Sequence, residues 1–233
     1  MDKPWLMGID LGGSGARCVL VNRATLALES AAGSWQFAAA PGTFGTGYDI
    51  DLDNVWAVVG QACRDAMAQG GIDPAAVAAV AVSAMRFSTV VLTEGGDSLL
   101  AVDNRDARAA GEYFEVAEKM GQALLEETGS WPLPLHASAR LLWLKNQQPD
   151  NFQRVHTVFG MGEWLTWRLC GARAIDPTLA SATGLFDLAR RQWCWARIDA
   201  LGLPRAIFPP LVDAGAVVGE LTAGSAAHLG LPE

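Results

Sequence analysis

Apolar and polar positions alternate along the chain in runs that predict strands and helices in turn. Trp5 to Leu11 is apolar and reads as a buried strand, with Asp10 and the glycines Gly12, Gly13 and Gly15 at its end. Ala16 to Val21 predicts a second strand and Thr25 to Glu29 a short third. The three lie too close together for crossover helices, so they should form an antiparallel meander. Residues 31–50 are rich in glycine and proline around Trp35, Phe37, Phe44 and Tyr48, and read as a long loop or ragged edge. Leu52, Val55, Trp56, Val59, Cys63, Ala66 and Met67 then recur at helical spacing. Asp51 or Asp53 can cap that helix, and Gly70-Gly71 ends it. Val77 to Val82 is wholly apolar, which predicts a strand covered on both faces.

Phe87 to Leu92 predicts a further strand that turns at residues 94–97. Asp106 to Glu127 reads as a polar-faced helix closed by Gly129, and Ala137 to Asn146 as a short helix carrying Leu141, Leu142, Trp143 and Leu144. Val155 to Phe159 is a last apolar strand. Glu163 to Leu169 is helical and stops at Gly171, and a final helix is expected near Ser225. Together these elements predict an α/β domain with a mixed central sheet and helices on its faces.

With 233 residues, 51% of them hydrophobic, and a mean hydropathy of +0.19, the chain supplies a core and is not disordered. A net charge of −8 argues against a nucleic-acid partner. The longest apolar stretch, Ala75 to Ala84, is far shorter than the ~20 residues that span a bilayer, so no membrane is expected. Met1 to Trp5 lacks the apolar run of a secretory leader. Cys18, Cys63, Cys170 and Cys194 are scattered and, with only three histidines, form no metal-ligand pattern. They read as buried thiols of a reducing cytoplasm.

The glycine loop is the first chemical candidate. Glycines after a buried strand let backbone N–H groups approach a phosphate. A dinucleotide loop would need G-x-G-x-x-G followed by a helix, and a Walker loop would need Gly-Lys-Ser/Thr. Here a strand follows, so the loop is a hairpin tip. Asp10 at its start could hold a Mg²⁺-bound water while residues 12–14 donate to a terminal phosphate. A plain β-turn is the competing reading.

Gly8-Ile-Asp10-Leu-Gly-Gly-Ser-Gly-Ala-Arg17 resembles the first phosphate motif of the FGGY carbohydrate kinases. Further blocks resemble that family in order along nearly the whole chain. Asp51-Leu-Asp-Asn-Val-Trp56 is similar to the start of its first long helix. Val82-Ser-Ala-Met-Arg-Phe-Ser88 lies where it has a sugar-contacting turn, often ending Met-His. Val102-Asp-Asn-Arg105 resembles its Trp-x-Asp-x-Arg substrate segment, with Asp106 and Arg108 as an alternative register. Gly162-Glu-Trp-Leu165 stands where a catalytic Asp-Tyr-Leu lies, and Asp176 to Asp187 is the most similar block. The likeness is greatest to the gluconate- and xylulose-kinase branches.

The resemblance implies a ribonuclease-H-like, actin-like ATPase fold, with residues 1–233 as the N-terminal domain. It implies that a C-terminal nucleotide-binding domain is absent from this chain. The expected function is the sugar-binding, catalytic half of an ATP-dependent kinase acting on a sugar, polyol or sugar acid. Glu163 would be the base, and Gly12, Gly13, Ser14 and Arg17 would bind phosphate. Met85, Arg86, Asp103 and Arg105 would bind substrate, and Asp10 would hold Mg²⁺ through water. The partners are then ATP, the small substrate, the protein's own C-terminal domain and, as an option, a second copy in a homodimer. The isolated chain should turn over ATP weakly or not at all. Several residues depart from the family pattern: Gly13 for Thr, Arg17 for Lys, Ala101 for Trp, Arg86 for His and Glu163 for Asp. They keep a second reading open, a catalytically silent sugar-binding or regulatory module. Each candidate also has a plain alternative. For Glu163 it is a helix start stabilised by the dipole, and for Asp103 and Arg105 a simple pair with each other.

Overall fold

The computed structural model describes residues 3–232. The chain opens with β1 (Trp5–Leu11), β2 (Gly15–Asn22) and β3 (Leu28–Ser34), followed by the two-residue strands β4 (Ala38–Ala39) and β5 (Tyr48–Asp49). Helix α1 (Leu52–Gly70) leads into β6 (Val77–Ala84), β7 (Thr89–Leu92) and β8 (Ser98–Val102). Helices α2 (Ala110–Thr128), α3 (Ala137–Gln147) and α4 (Pro149–Phe152) precede β9 (Thr157–Phe159) and α5 (Met161–Cys170). The rest comprises α6 (Pro177–Ser181), β10 (Phe186–Asp187), β11 (Gln192–Trp193), α7 (Trp195–Ala200) and α8 (Ala223–Leu229).

The main sheet has the order β3-β2-β1-β6. The hairpin partners are antiparallel and β6 runs parallel to β1, which makes the sheet mixed. Met7, Ile9 and Leu11 of β1, with Ala16, Cys18 and Leu20 of β2, bury one face beneath α1. Alternation puts Leu6, Gly8 and Asp10 on the other face. Helix α1 forms as expected. Asp51 caps it, its Oδ1 accepting from Asn54 N at 3.0 Å, and Gly71 ends it in the left-handed region.

The third strand lies later than Thr25 to Glu29. The Asn22 side chain accepts from the Ala24 and Thr25 backbone N–H groups, and Leu26 takes φ +60°. Thr25 is thereby held in a turn, and pairing starts at Leu28 and continues through part of the expected loop. The predicted helix from Asp106 starts only at Ala110, because Asp106 is occupied with loop backbone. A second sheet, antiparallel, has the order β4-β5-β8-β7-β9. Its two-residue strands β4 and β5 carry too little periodicity to be read from the residues, whereas β9 falls within the expected strand Val155 to Phe159.

The expected cover on β6 is corrected by the fold. Strand β6 lies at the sheet edge: Val77 is buried in the core, and beyond it only Val80, Val82 and Ala84 pack there. Ala78, Ala79, Ala81 and Ser83 are exposed. Full apolarity reflected small residues rather than two packed faces. A groove of about 650 Å³ follows this strand, walled by Thr166, Ile175, Val218 and Leu221 and reached by Leu231 and Pro232.

Two apolar clusters form the core. One joins β1, β2 and α1 to α5 and α8, and the other joins β7 and β8 to α2, α3 and residues 175–208. Met85, Arg86 and Glu163 line a cavity walled by residues of both clusters.

Candidate functional site

The parallel strands β1 and β6 end side by side. Asp10 pairs in register with Arg17 on β2 and Ser83 on β6, and all three are exposed. Met85 N donates to Leu11 O at 2.7 Å, which ties the turn after β6 to the glycine loop after β1. The carboxyl ends of parallel strands are where open α/β sheets place ligands.

The loop itself is a hairpin tip, as expected, closed by Gly12 N donating to Gly15 O at 2.9 Å. Its glycines differ in kind. A Cβ at Gly15 would stand 2.2 Å from Gly33 O, so strand packing demands glycine there. A Cβ at Gly13 would meet nothing within 4 Å. Neither packing nor a left-handed φ calls for glycine at 13, and the bare backbone is open to an incoming anion. Ser14 and Arg17 are exposed beside it.

Met85, Arg86 and Glu163 line one small cavity of about 20 Å³, with Ser88, Gly160 and Thr183. That is room for about one water. Ser88 Oγ accepts from Met161 N at 2.9 Å and so docks the start of α5 on this turn. Phe87 takes φ +64°, a conformation rare for an aromatic residue, with the Arg86 guanidinium 5.5 Å from its ring centre.

Glu163 sits in the first turn of α5 and is only 4% exposed. Its Oε2 accepts from Gly160 N at 2.8 Å, while Oε1 is buried without a partner. Burial pushes its pKa up to about 7, against the pull of the backbone N–H groups and with a small further push from Asp176. It also lines the groove beside β6. Neither cavity lined by Glu163 includes Asp10.

Asp103 and Arg105 do pair with each other. Asp103 Oδ2 accepts from Arg105 Nε at 2.8 Å and Nη2 at 2.6 Å. Asp103 is fully buried, whereas Arg105 is exposed and lies over the Tyr48 ring at 4.6 Å. The alternative register holds a second pair. Asp106 Oδ2 accepts from Arg108 Nε at 2.8 Å and from Tyr48 N at 2.7 Å, and Arg108 also reaches Asp49. Asp106 is buried and Arg108 nearly so, which makes that pair a loop brace, while Arg105 presents its guanidinium to solvent.

Three residues of this region have a part in the structure that the sequence did not assign to them. Arg140, fully buried on α3, donates to backbone of two site loops. His136 stacks on Phe87 at 5.8 Å, and burial pulls its pKa down to about 4. Ser88 joins the turn to α5. Arg140 and His136 stand within apolar or Pro-rich surroundings in the sequence, and only burial reveals them.

Residues 5–233 match the FGGY family of carbohydrate kinases, N-terminal domain. The chain belongs to that family. Among its relatives, the autoinducer-2 kinase of Salmonella choleraesuis (strain SC-B67) is 33% identical over 221 residues, covering 94% of this chain and 42% of the relative. Among solved structures, the gluconate kinase of Lactobacillus acidophilus superposes with a TM-score of 0.88 at 21% identity over 98% of this chain and 46% of its own. The xylulose kinase of Rhodospirillum rubrum also gives 0.88, at 23% identity over 98% and 47%. The fold is thus that of the FGGY sugar kinases, an actin-like ATPase fold. The chain spans less than half the length of the curated relatives it matches. Among the described residues no cluster of three acidic, His or Cys side chains could cage a metal, and no helix is long and apolar enough to cross a membrane.

For Mg²⁺, the candidate site offers one exposed carboxylate, Asp10, beside an open backbone cradle. That suits an ion that keeps its waters and takes its other ligands from phosphates.

Proposed function

We propose that this chain is the sugar-binding and catalytic half of an ATP-dependent carbohydrate kinase, which moves the γ-phosphoryl group to a hydroxyl of a sugar, polyol or sugar acid. The observation that carries this reading is the gathering of Asp10, the bare Gly13 backbone, Arg86 and the start of α5 around the joined ends of β1 and β6. In phosphoryl transfer the protein mainly positions the reactants and neutralises charge. Residues 12–14 and Arg17 would receive the terminal phosphate. Asp10 would hold Mg²⁺ through water, and that ion would offset charge on the phosphate oxygens. Arg86 and Arg105 would orient the acceptor, with buried Asp103 acting through its pair with Arg105 and Met85 packing beneath.

Glu163 is the proposed base. A carboxyl with a pKa of about 7 is matched to taking a proton near neutral pH. Its unpartnered Oε1 leaves one acceptor free for a hydroxyl. The cavity before it is too small for a sugar, so the C-terminal half must help to shape the working cleft. The exposed β6 edge and its groove supply a surface for that half. The cysteines, unpaired and mostly buried, suit a reducing cytoplasm.

The test is ATP consumption by the full-length protein across pentuloses, polyols and sugar acids, for wild type and Glu163→Gln. Gln keeps an acceptor for Gly160 N, so the fold should persist while kcat falls ~10²–10⁴-fold. A second reading has its own support. The burial of Glu163 and its bond to Gly160 are what a helix-start brace requires, and they fit a silent sugar-binding module. Unchanged turnover in Glu163→Gln would remove Glu163 as base. Sugar binding with no turnover in the wild-type full-length protein would establish the silent module.

A further inference from the structure

Arg140 presents an unusual combination: a guanidinium with no exposed surface whose hydrogen-bond acceptors are mainly backbone carbonyls. Nη1 donates to Phe87 O and, at 3.1 Å, to Thr89 Oγ1. Nη2 donates to Asp103 O at 2.8 Å and to Asp106 O at 2.6 Å. The nearest carboxylate oxygen, Asp106 Oδ1, is 4.0 Å from Nε, which has no hydrogen-bond partner. Burial lowers the pKa of Arg140 to about 10, against the pull of Asp106 and Asp103, so the group remains charged at neutral pH.

A buried charge held mostly by carbonyl dipoles is a costly way to fill space, and apolar residues of similar volume often serve stability as well. Its neighbours on α3, Leu141, Leu142 and Leu144, show that this helix packs well with leucine. The guanidinium does something that leucine cannot. Its two terminal nitrogens point to two different segments at fixed spacing, one to residues 87–89 and the other to residues 103–106. The first segment carries Arg86, whose guanidinium lies against the Phe87 ring. The second carries Arg105, folded onto Asp103. Phe87 is held at a positive φ between Arg86 and His136, the residue just before α3. Arg140 and His136 together hold this turn from a single rigid helix end.

We propose that Arg140 is a positioning residue that sets the spacing between Arg86 and the Asp103–Arg105 segment. The proposal rests on the reading of those segments as acceptor-binding. It assigns to α3 the task of making two loops act as one binding surface. A lysine at 140 would keep the charge but offer a single nitrogen, which cannot serve both loops in the same geometry.

Two measurements test it. The first needs no ligand: hydrogen exchange on the 233-residue chain, wild type against Arg140→Lys. Amides of residues 86–89 and 103–106 should exchange faster together in the variant, with α1 unchanged. Loosening of one segment alone, or of neither, would overturn the proposal. The second uses the full-length protein titrated by calorimetry with D-gluconate, xylitol and ADP. Losing one charge-assisted hydrogen bond to a ligand costs roughly ten- to a hundred-fold in affinity. Arg140→Lys and Arg140→Met should therefore weaken sugar binding about ten- to a hundred-fold, with Met the worse, and leave ADP binding within about twofold. Equal losses for ADP and sugar, or none in a folded variant, would refute positioning. Arg86→Ala and Arg105→Ala run beside them. If both bind D-gluconate and xylitol as wild type does, the acceptor-site reading itself fails, whatever Arg140 does.

Discussion

Replacing Gly15 and Gly13 separately by alanine separates packing from ligand approach within one loop. At Gly15 the new methyl would lie 2.2 Å from Gly33 O and 3.1 Å from Ser34 Cα, all of it backbone of the paired strand β3. Nothing there can rotate away, so β2 and β3 must part by roughly 1 Å at the hairpin mouth. Overpacking of this kind costs ~1–3 kcal/mol. For a chain of this size each kcal/mol shifts Tm by ~2–4 °C, so Gly15→Ala should melt about 2–12 °C lower. At Gly13 the methyl enters open space and φ is not left-handed, so Tm should stay within about 1 °C of wild type or rise slightly. Calorimetric or circular-dichroism melting of the 233-residue chain reads both. In the full-length protein Gly13→Ala should weaken ATP binding while Gly15→Ala, once folded, should not. A neutral Gly15→Ala, or a Gly13→Ala as damaging to stability, would refute the division of labour.

Glu163 makes stability depend on pH in a defined direction. Its folded pKa, about 7, lies above its ordinary value, so its stabilising contribution is full below about pH 4.5 and is lost as pH rises through 7. Glu163→Gln should gain on wild type across that window by about 3 kcal/mol at most and level off above it, as followed by denaturant melts at several pH values. The difference between the two proteins removes the opposing slope from His136, whose lowered pKa costs stability as pH falls below its usual 6.5. Asp51→Ala deletes the acceptor for Asn54 N and should lower stability by ~1 kcal/mol, seen as a Tm lower by ~2–4 °C. Wild-type chain should self-associate in sedimentation experiments, and Ala79→Lys on the exposed edge should suppress this; a monomer at high concentration in both would count against edge pairing.

The long elements were legible because their patterns are long. Helix α1 shows its apolar stripe, its Asp51 cap and its Gly71 stop in consecutive residues, and the structure keeps all three. The hairpin around Gly12 to Gly15 was legible because a strand follows the glycines where a helix would be needed for a dinucleotide. Strand β3 was misplaced because turn residues Ala24 and Thr25 bond to Asn22, a side-chain event with no periodicity. Strand β6 was misread for a different reason. Its residues are small and apolar, which describes the strand but not what stands beside it. In the site, Asp103 and Arg105 could be named as a pair, yet which end is buried depends on packing from α3. Arg140 carries no local signal because its partners are 34 to 53 residues away.

The bare edge of β6 also has a clock attached. Its eight residues, Val77 to Ala84, contain no charge or proline of the kind that guards sheet edges, and the one irregularity, at Ala78, leaves the register from Ala79 to Ala84 unbroken. A ribosome delivers ~5–20 residues per second. In a protein of the relatives' length, of which this chain spans 42%, the rest of the polypeptide would follow over roughly fifteen seconds to a minute. The domain can fold in far less time than that. The nascent chain would therefore hold a finished sheet with an open, uncharged margin while neighbouring ribosomes hold the same margin nearby. Slower translation lengthens that exposure and faster translation shortens it, so yield of soluble protein should depend on elongation rate even where the native state is stable.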